Sequence, residues 1–194
     1  MPHLVEDTPT AVHSHLVGSP PLLSRLIDRI IRFISVTAHL SWLALIVVII
    51  SNVVLRYVLA DSSVALEEWQ WHLYGYGFMV GIAYCLVEDQ HVRVDVLSEH
   101  WSPRRRAWVD LLAMFILVMP FAFVIARDSI PFVEFSHQLN EVSRSPGGLS
   151  HRWIIKAVIP FSMALVFLAA LSRALLMVKI ILESPSVQKG TPNV

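Results

Sequence analysis

Histidines and carboxylates in pairs are the residues of this chain that could do chemistry. His39 and His72 could ligate a haem iron, but bis-histidine ligation needs both imidazoles at one depth. His39 lies about one turn inside one apolar run and His72 near the far end of the next, so at roughly 1.5 Å per helical residue their depths differ by well over 10 Å. His91 and Asp95 have the i, i+4 spacing of metal ligands. A third ligand at suitable spacing is missing, and Val92, Val94 and Val96 alternate with polar residues as in an extended or folded-back segment. Glu67 and Glu68 stand side by side, yet the chain holds no HExxH, no GxSxG, no Walker loop and no serine–histidine pairing at helical positions. The single cysteine, Cys85, lies in an apolar run, where a thiol is inert. No cofactor, metal or catalytic set is expected.

What must position these residues is a set of four charge-poor apolar runs, Ile34–Leu55, Trp69–Val87, Ala107–Ala126 and Trp153–Ser172. About 20 apolar residues cross a hydrocarbon core of roughly 30 Å. Asp110 and Lys156, the charges inside runs three and four, lie in a first turn within reach of headgroups. The expected fold is an all-α integral membrane protein with four transmembrane helices at about 34–55, 66–87, 107–126 and 153–178. The chain is 55% hydrophobic with a mean hydropathy of +0.61, too apolar for a soluble domain of this size. Fifteen basic and fifteen acidic residues cancel, so nothing points to nucleic acid. The first run starts behind a basic segment and is too long for a signal-peptide core, so it is expected to be retained. Little chain remains for a separate soluble catalytic domain.

Orientation follows from Lys and Arg in the flanks. Arg25, Arg29, Arg32, Arg93, Arg104, Arg105, Arg106, Arg173, Lys179 and Lys189 fall on one side, against Arg56, Arg127, Arg144 and Arg152 on the other. Both termini are therefore expected in the cytoplasm. Residues 1–20, with three prolines and three histidines, read as a disordered tail, and 183–194 as a cytoplasmic tail, flanking a membrane domain at 21–182. Between them, Leu23, Leu26, Ile27, Ile30, Ile31 and Ile34 recur at helical spacing opposite Arg25, Asp28, Arg29 and Arg32. That pattern suits an amphipathic helix lying in the headgroup plane, or a basic extension of helix 1.

Helix 1 ends at Asn52-Val53-Val54-Leu55-Arg56-Tyr57 and helix 2 opens at Glu67-Glu68, whose carboxylates suit a helix N-terminus. Both ends lie on one side of the membrane, so Arg56 is expected to pair with Glu67 or Glu68. Gly75, Gly77, Gly81 and Ala83 follow, with Gly77 and Gly81 forming GxxxG, a seam that admits a partner helix. Pro120 and Pro160 are expected to kink helices 3 and 4. Ser145-Pro146-Gly147-Gly148 reads as a turn before helix 4, and Ile130–Leu139 as a segment lying along the outer surface. The central parts of helices 1 and 3 are almost wholly apolar and no internal repeat is evident, so an independent transporter is not indicated. A four-helix scaffold without a polar pathway needs a partner, and the lipid bilayer is its solvent.

Asn52-Val53-x-x-Arg56-Tyr57, Glu67-Glu68, Gly81 and His91-Val92-Arg93-Val94-Asp95 together resemble the small, Q-type membrane subunit of TRAP (tripartite ATP-independent periplasmic) transporters, over about residues 34–178. The resemblance implies a bacterial inner-membrane assembly of three parts. A periplasmic solute-binding protein captures a carboxylate-type solute, and a large membrane subunit carries it across, coupled to a sodium gradient. The small subunit packs against the large one and helps present a docking surface to the binding protein. Substrate and sodium sites belong to the large subunit, so Asn52, Arg56, Glu67, Glu68, Gly77, Gly81, His91 and Asp95 are expected to act in structure or at subunit interfaces. A membrane anchor for a redox or other enzyme complex is the competing reading, and histidines at matched depth would favour it.

Overall fold

The computed structural model describes residues 20–60, 63–88 and 101–183. Among them every regular element is helical: α1 (Leu22–Val58), α2 (Val64–Val87), α3 (Pro103–Ala113), α4 (Met119–Gln138) and α5 (Trp153–Glu183). A π-helical turn, Met114–Val118, joins α3 to α4 without a break. His91, Asp95 and both expected tails lie outside the described residues, apart from the tail positions Pro20 and Glu183.

Local chemistry sets the helix starts. The Ser63 hydroxyl accepts from the Leu66 N–H at 3.4 Å, and the Ser102 hydroxyl accepts from the Arg105 N–H at the same distance. Each satisfies one of the donors that a first turn leaves open. At α1 the Pro21 carbonyl accepts the Arg25 N–H at 3.0 Å.

Two helices are longer than their apolar runs. α1 shows no boundary at residue 34; the amphipathic segment 22–34 is its first third. The reason is phase. Ser24, Ile27, Ile31, Ser35, Ala38, Ser41, Leu45 and Asn52 are its buried residues, a seam at steps of three, four and seven that runs across the expected junction. Ile27 and Ile31 thus pack on the protein, while Leu23, Leu26 and Ile30 stay exposed. The third run likewise continues to Gln138, through Arg127 and Pro131, so Ile130–Gln138 extends the helix rather than forming a surface segment. Pro131 and Pro160 both sit inside unbroken helices. Pro120 directly follows Met119, whose N–H reaches back to the Met114 carbonyl across the π-turn. A proline has no N–H for the carbonyl four residues back and its ring crowds that carbonyl, and a widened turn relieves the crowding.

α5 is the centre of the bundle and packs against every other element. Its buried surface includes Ser162, Ala169, Ala170, Ser172 and Ala174, small side chains that let neighbouring backbones come close. α1 and α2 run antiparallel, as the pairs Arg32–Glu88 and Arg56–Glu67 show. α4 and α5 run antiparallel too, with His137 against Trp153 at one end. The main core joins Ile27, Ile31, Val80, Ala83, Leu86, Ala122, Leu165, Val166 and Ala169, and a smaller one joins Ala107 and Leu111 to Ala174 and Met177.

By length and composition, three helices among the described residues are fit to cross a membrane: Leu22–Val58, Arg104–Gln138 and Trp153–Glu183. α2 is not among them, because Gln70, His72 and three glycines dilute its apolar content.

Candidate functional site

The polar chemistry of the chain gathers where the end of α1, the start of α2, the end of α4 and the start of α5 meet. Glu68, in the first turn of α2, is its hub. Its carboxylate accepts the Ser143 hydroxyl and, at 2.6 Å, the Leu149 backbone N–H. The Arg152 guanidinium stands 3.8 Å away, and the Glu68 side chain is 16% exposed.

The loop Leu139–Arg152 is folded to make those contacts. The Ser143 N–H donates to the Leu149 carbonyl at 2.9 Å, and the Arg152 N–H to the Glu141 carbonyl at 3.1 Å. Within this pinched loop the Gly148 N–H donates to the Ser145 carbonyl at 3.0 Å. Asn140, Gly147 and His151 take left-handed backbone conformations, which only Gly147 adopts without steric cost. Gly148 is required for another reason. A Cβ there would run into the Ser143 side chain and approach Glu68 Oε1 to 3.0 Å.

A second carboxylate closes the base of the loop. Glu141 accepts the Ser136 hydroxyl at 2.6 Å and binds the Lys156 ammonium. The Lys156 ammonium and the Ser136 hydroxyl hold the Glu141 carboxyl below its ordinary value of 4.5. Lys156 also lies 4.1 Å over the Phe132 ring, and Ser136 is fully buried. Arg56 meets Glu67 at 2.7 Å, with both side chains about half exposed.

The opposite end is stitched as well. The Ser24 hydroxyl donates to Ser172 at 2.8 Å, and the Ser172 hydroxyl donates to Asp28 at 2.6 Å. The Arg173 guanidinium donates to the last carbonyls of α2, Leu86 at 2.9 Å and Val87. Helix C-termini leave such carbonyls open, and a cation there is doubly favourable.

Arg56 and Glu67 come together, whereas Glu68 turns to the loop. Asn52 is 8% exposed and its Oδ1 has no hydrogen-bond partner. Gly77 and Gly81 do not act as one seam. A Cβ at Gly77 would lie 2.6 Å from Ser41 Oγ and 3.0 Å from Trp42 Nε1, so the chain's own α1 fills that seat. Gly81 opens on empty space. Glycine spacing marks where a helix can approach but does not distinguish a helix of the same chain from a partner's.

Sequence reasoning missed Glu141, Ser143 and Gly148 as members of a cluster. One signal was available: Lys156 sits a turn inside an apolar helix and needs an anion within reach, and Glu141 is the nearest acidic residue before it. Chemically, the arrangement immobilises a loop. The Glu68 and Glu141 carboxylates are engaged by donors of the chain itself. Among the described residues, no group of three or more His, Cys, Asp or Glu side chains could hold a metal ion.

The family model for the DctQ component of the tripartite ATP-independent periplasmic transporters matches residues 45–179. None of the curated proteins and none of the solved structures matches the chain. The family match covers the C-terminal part of α1 from residue 45, the whole Glu68–loop cluster and nearly all of α5. With three membrane-length helices beside that match, this is a multi-pass membrane protein. The chain belongs to the DctQ family, the small permease component of the tripartite ATP-independent periplasmic transporters.

Proposed function

We propose that this chain is the scaffold of its transporter, seating the large membrane subunit for binding-protein-dependent uptake of a carboxylate-type solute driven by a sodium gradient. The observation that carries this reading is the content of the bundle interior. Among the described residues, its buried polar residues are Ser24, Ser35, Ser41, Asn52, Ser136, Ser162 and Ser172, with no charged side chain. Most of these hydroxyls are spent within the chain: Ser35 and Ser41 donate to carbonyls of α1, and Ser162 to one of α5. A carrier of anions or sodium needs a polar site near the bilayer centre, and the interior described here supplies packing instead.

In this reading α2 crosses the membrane as a fourth span. Its 24 residues reach about 36 Å at 1.5 Å per residue, and it is sheltered between α1 and α5. Both termini face the cytoplasm of the bacterial inner membrane, by the distribution of Lys and Arg in the flanks, which favours that side whether or not Arg127 is counted. The Glu68–loop cluster then faces the periplasm, where it offers a rigid platform beside the docking site of the solute-binding protein. Asn52, Arg56, Glu67, Glu68 and Gly81 belong to this platform and its supporting helices, with His91 and Asp95 on the cytoplasmic side.

The test is uptake of labelled organic acids by cells that lack only this chain. Loss of sodium-dependent uptake, restored by the plasmid-borne chain, is the expected result. Unchanged uptake would remove the scaffold role.

A further inference from the structure

The two long outer helices leave different surfaces uncovered. The outward stripe of α1 runs through Val36, Leu40, Leu43, Ile46, Val47, Ile50 and Val54, all exposed, with no Asp, Glu, Lys or Arg between Phe33 and Leu55. This is what a surface fitted to lipid looks like. On α4, steps of four, three and four place Phe123, Arg127, Ile130 and Glu134 on one face, and all four are exposed, as is the neighbouring Asp128. Among the described residues, the side chains of Arg127, Asp128 and Glu134 make no hydrogen bond or ion pair.

Their depth follows from the register of α4 on α5. The contacts Lys156–Phe132 and His137–Trp153 mark one end of that pairing, and Ala107 and Leu111 on Ala174 and Met177 mark the other. Arg127 and Asp128 lie four to five residues further in than Phe132, or about 6–8 Å deeper at 1.5 Å per residue. Charges at such depth are expensive against hydrocarbon and are tolerated where protein or water faces them.

We propose that the α4 face bearing Phe123, Arg127, Ile130 and Glu134 is the seat of the large membrane subunit. The facing helix of that subunit brings an acidic group level with Arg127 and a basic group level with Asp128 or Glu134. The inference rests on the scaffold reading above and adds which side of the chain the partner occupies. The exposed charges within the span assign the partner to α4, and the uncharged stripe assigns lipid to α1. Such pairing also fixes register, because a like charge at either position repels.

The test places a photoreactive benzophenone side chain at Phe123 or Ile130, and separately at Leu43 or Ile50, in the full chain in native membranes. All four positions are exposed, so the substitutions leave folding intact. Expected are adducts with the large subunit from Phe123 and Ile130 and none from Leu43 and Ile50. In parallel, Arg127→Glu should lower the co-purified large subunit by at least about tenfold, because it sets like charges against each other in the interface, while Arg127→Lys retains it. Adducts only from the α1 positions would overturn the assignment, as would adducts of the α4 positions with a second copy of this chain or with lipid alone. In each of those cases the large subunit still co-purifies. Its absence from every preparation would instead defeat the scaffold reading, and this inference with it.

Discussion

Glu68 and Leu149 stand 81 positions apart in the chain, and the Glu68 carboxylate accepts the Leu149 backbone N–H at 2.6 Å. The contact ties the first turn of α2 to the loop that feeds α5. A carboxylate that binds a backbone N–H, a serine hydroxyl and an arginine cannot be replaced by a single neutral acceptor without loss. Glu68→Gln is expected to weaken the loop and Glu68→Ala to free it. Limited proteolysis between Asn140 and His151 checks this, with cleavage rising in the order wild type, Gln, Ala. Equal resistance in all three would dissociate the loop from Glu68.

Gly148→Ala forces a Cβ against Ser143 and towards Glu68. The expected cost is about 1–3 kcal/mol, within the usual range for overpacking, read as a lower thermal midpoint in detergent. Gly148→Ala combined with Ser143→Gly removes the obstructing side chain and should recover part of the loss. Absence of any recovery would place the strain elsewhere.

The two glycines of α2 should separate cleanly. Gly77→Leu drives a side chain into Ser41 and Trp42 and is expected to destabilise the isolated chain by at least about 1–3 kcal/mol. Gly81→Leu meets open space and should leave the thermal midpoint of the isolated chain unchanged. Thermal unfolding of both variants, purified alone, decides the matter.

Glu141 gives a pH dependence with a definite sign. Its carboxyl is lowered from 4.5 by the Lys156 ammonium and the Ser136 hydroxyl. A group whose folded value is depressed contributes stability that is fully present above the unfolded value and is lost as pH falls through the folded one. The thermal midpoint should therefore hold above about pH 5 and decline below 4.5, and Glu141→Gln should flatten that decline. A variant with the wild-type acid profile would show that other carboxylates govern it.

Arg56 and Glu67 form a half-exposed pair, and such pairs contribute about 0–1 kcal/mol. Charge reversal at Arg56 should cost the isolated chain little, and the swap Arg56→Glu with Glu67→Arg should restore what is lost. A double-mutant cycle on the thermal midpoint measures the coupling. A much larger coupling would mean that the pair lies in a drier setting than its exposure indicates.

The parts of this fold that were legible in the sequence are those that local pattern governs. Apolar runs located the helices, and the Ser145–Gly148 turn marked the edge before α5. Helix ends were harder to read. The third helix was expected to end at Ala126, but an existing helix tolerates both Arg127 and Pro131 when one side still packs, as Ala122 and Ser136 do here. The start of α1 left two readings open, an interfacial helix or an extension of helix 1. Its charges suit a headgroup plane, while the period of Ser24, Ile27 and Ile31 continues into the apolar run that follows. The loop cluster was illegible in principle. Ser143 and Glu68 are 75 positions apart, and no local pattern encodes which carboxylate a loop serine will find. Gly77 shows the same limit, since the residues that fill its seat, Ser41 and Trp42, lie on a different helix.

The account stands on the claim that this chain is one membrane component of a tripartite transporter. Affinity purification of the tagged chain from native membranes in mild detergent tests that claim most directly. The expected result is one large polytopic membrane protein recovered in stoichiometric amount, whose recovery survives moderate salt. A soluble oxidoreductase as the stoichiometric partner, or the chain recovered alone, would contradict it.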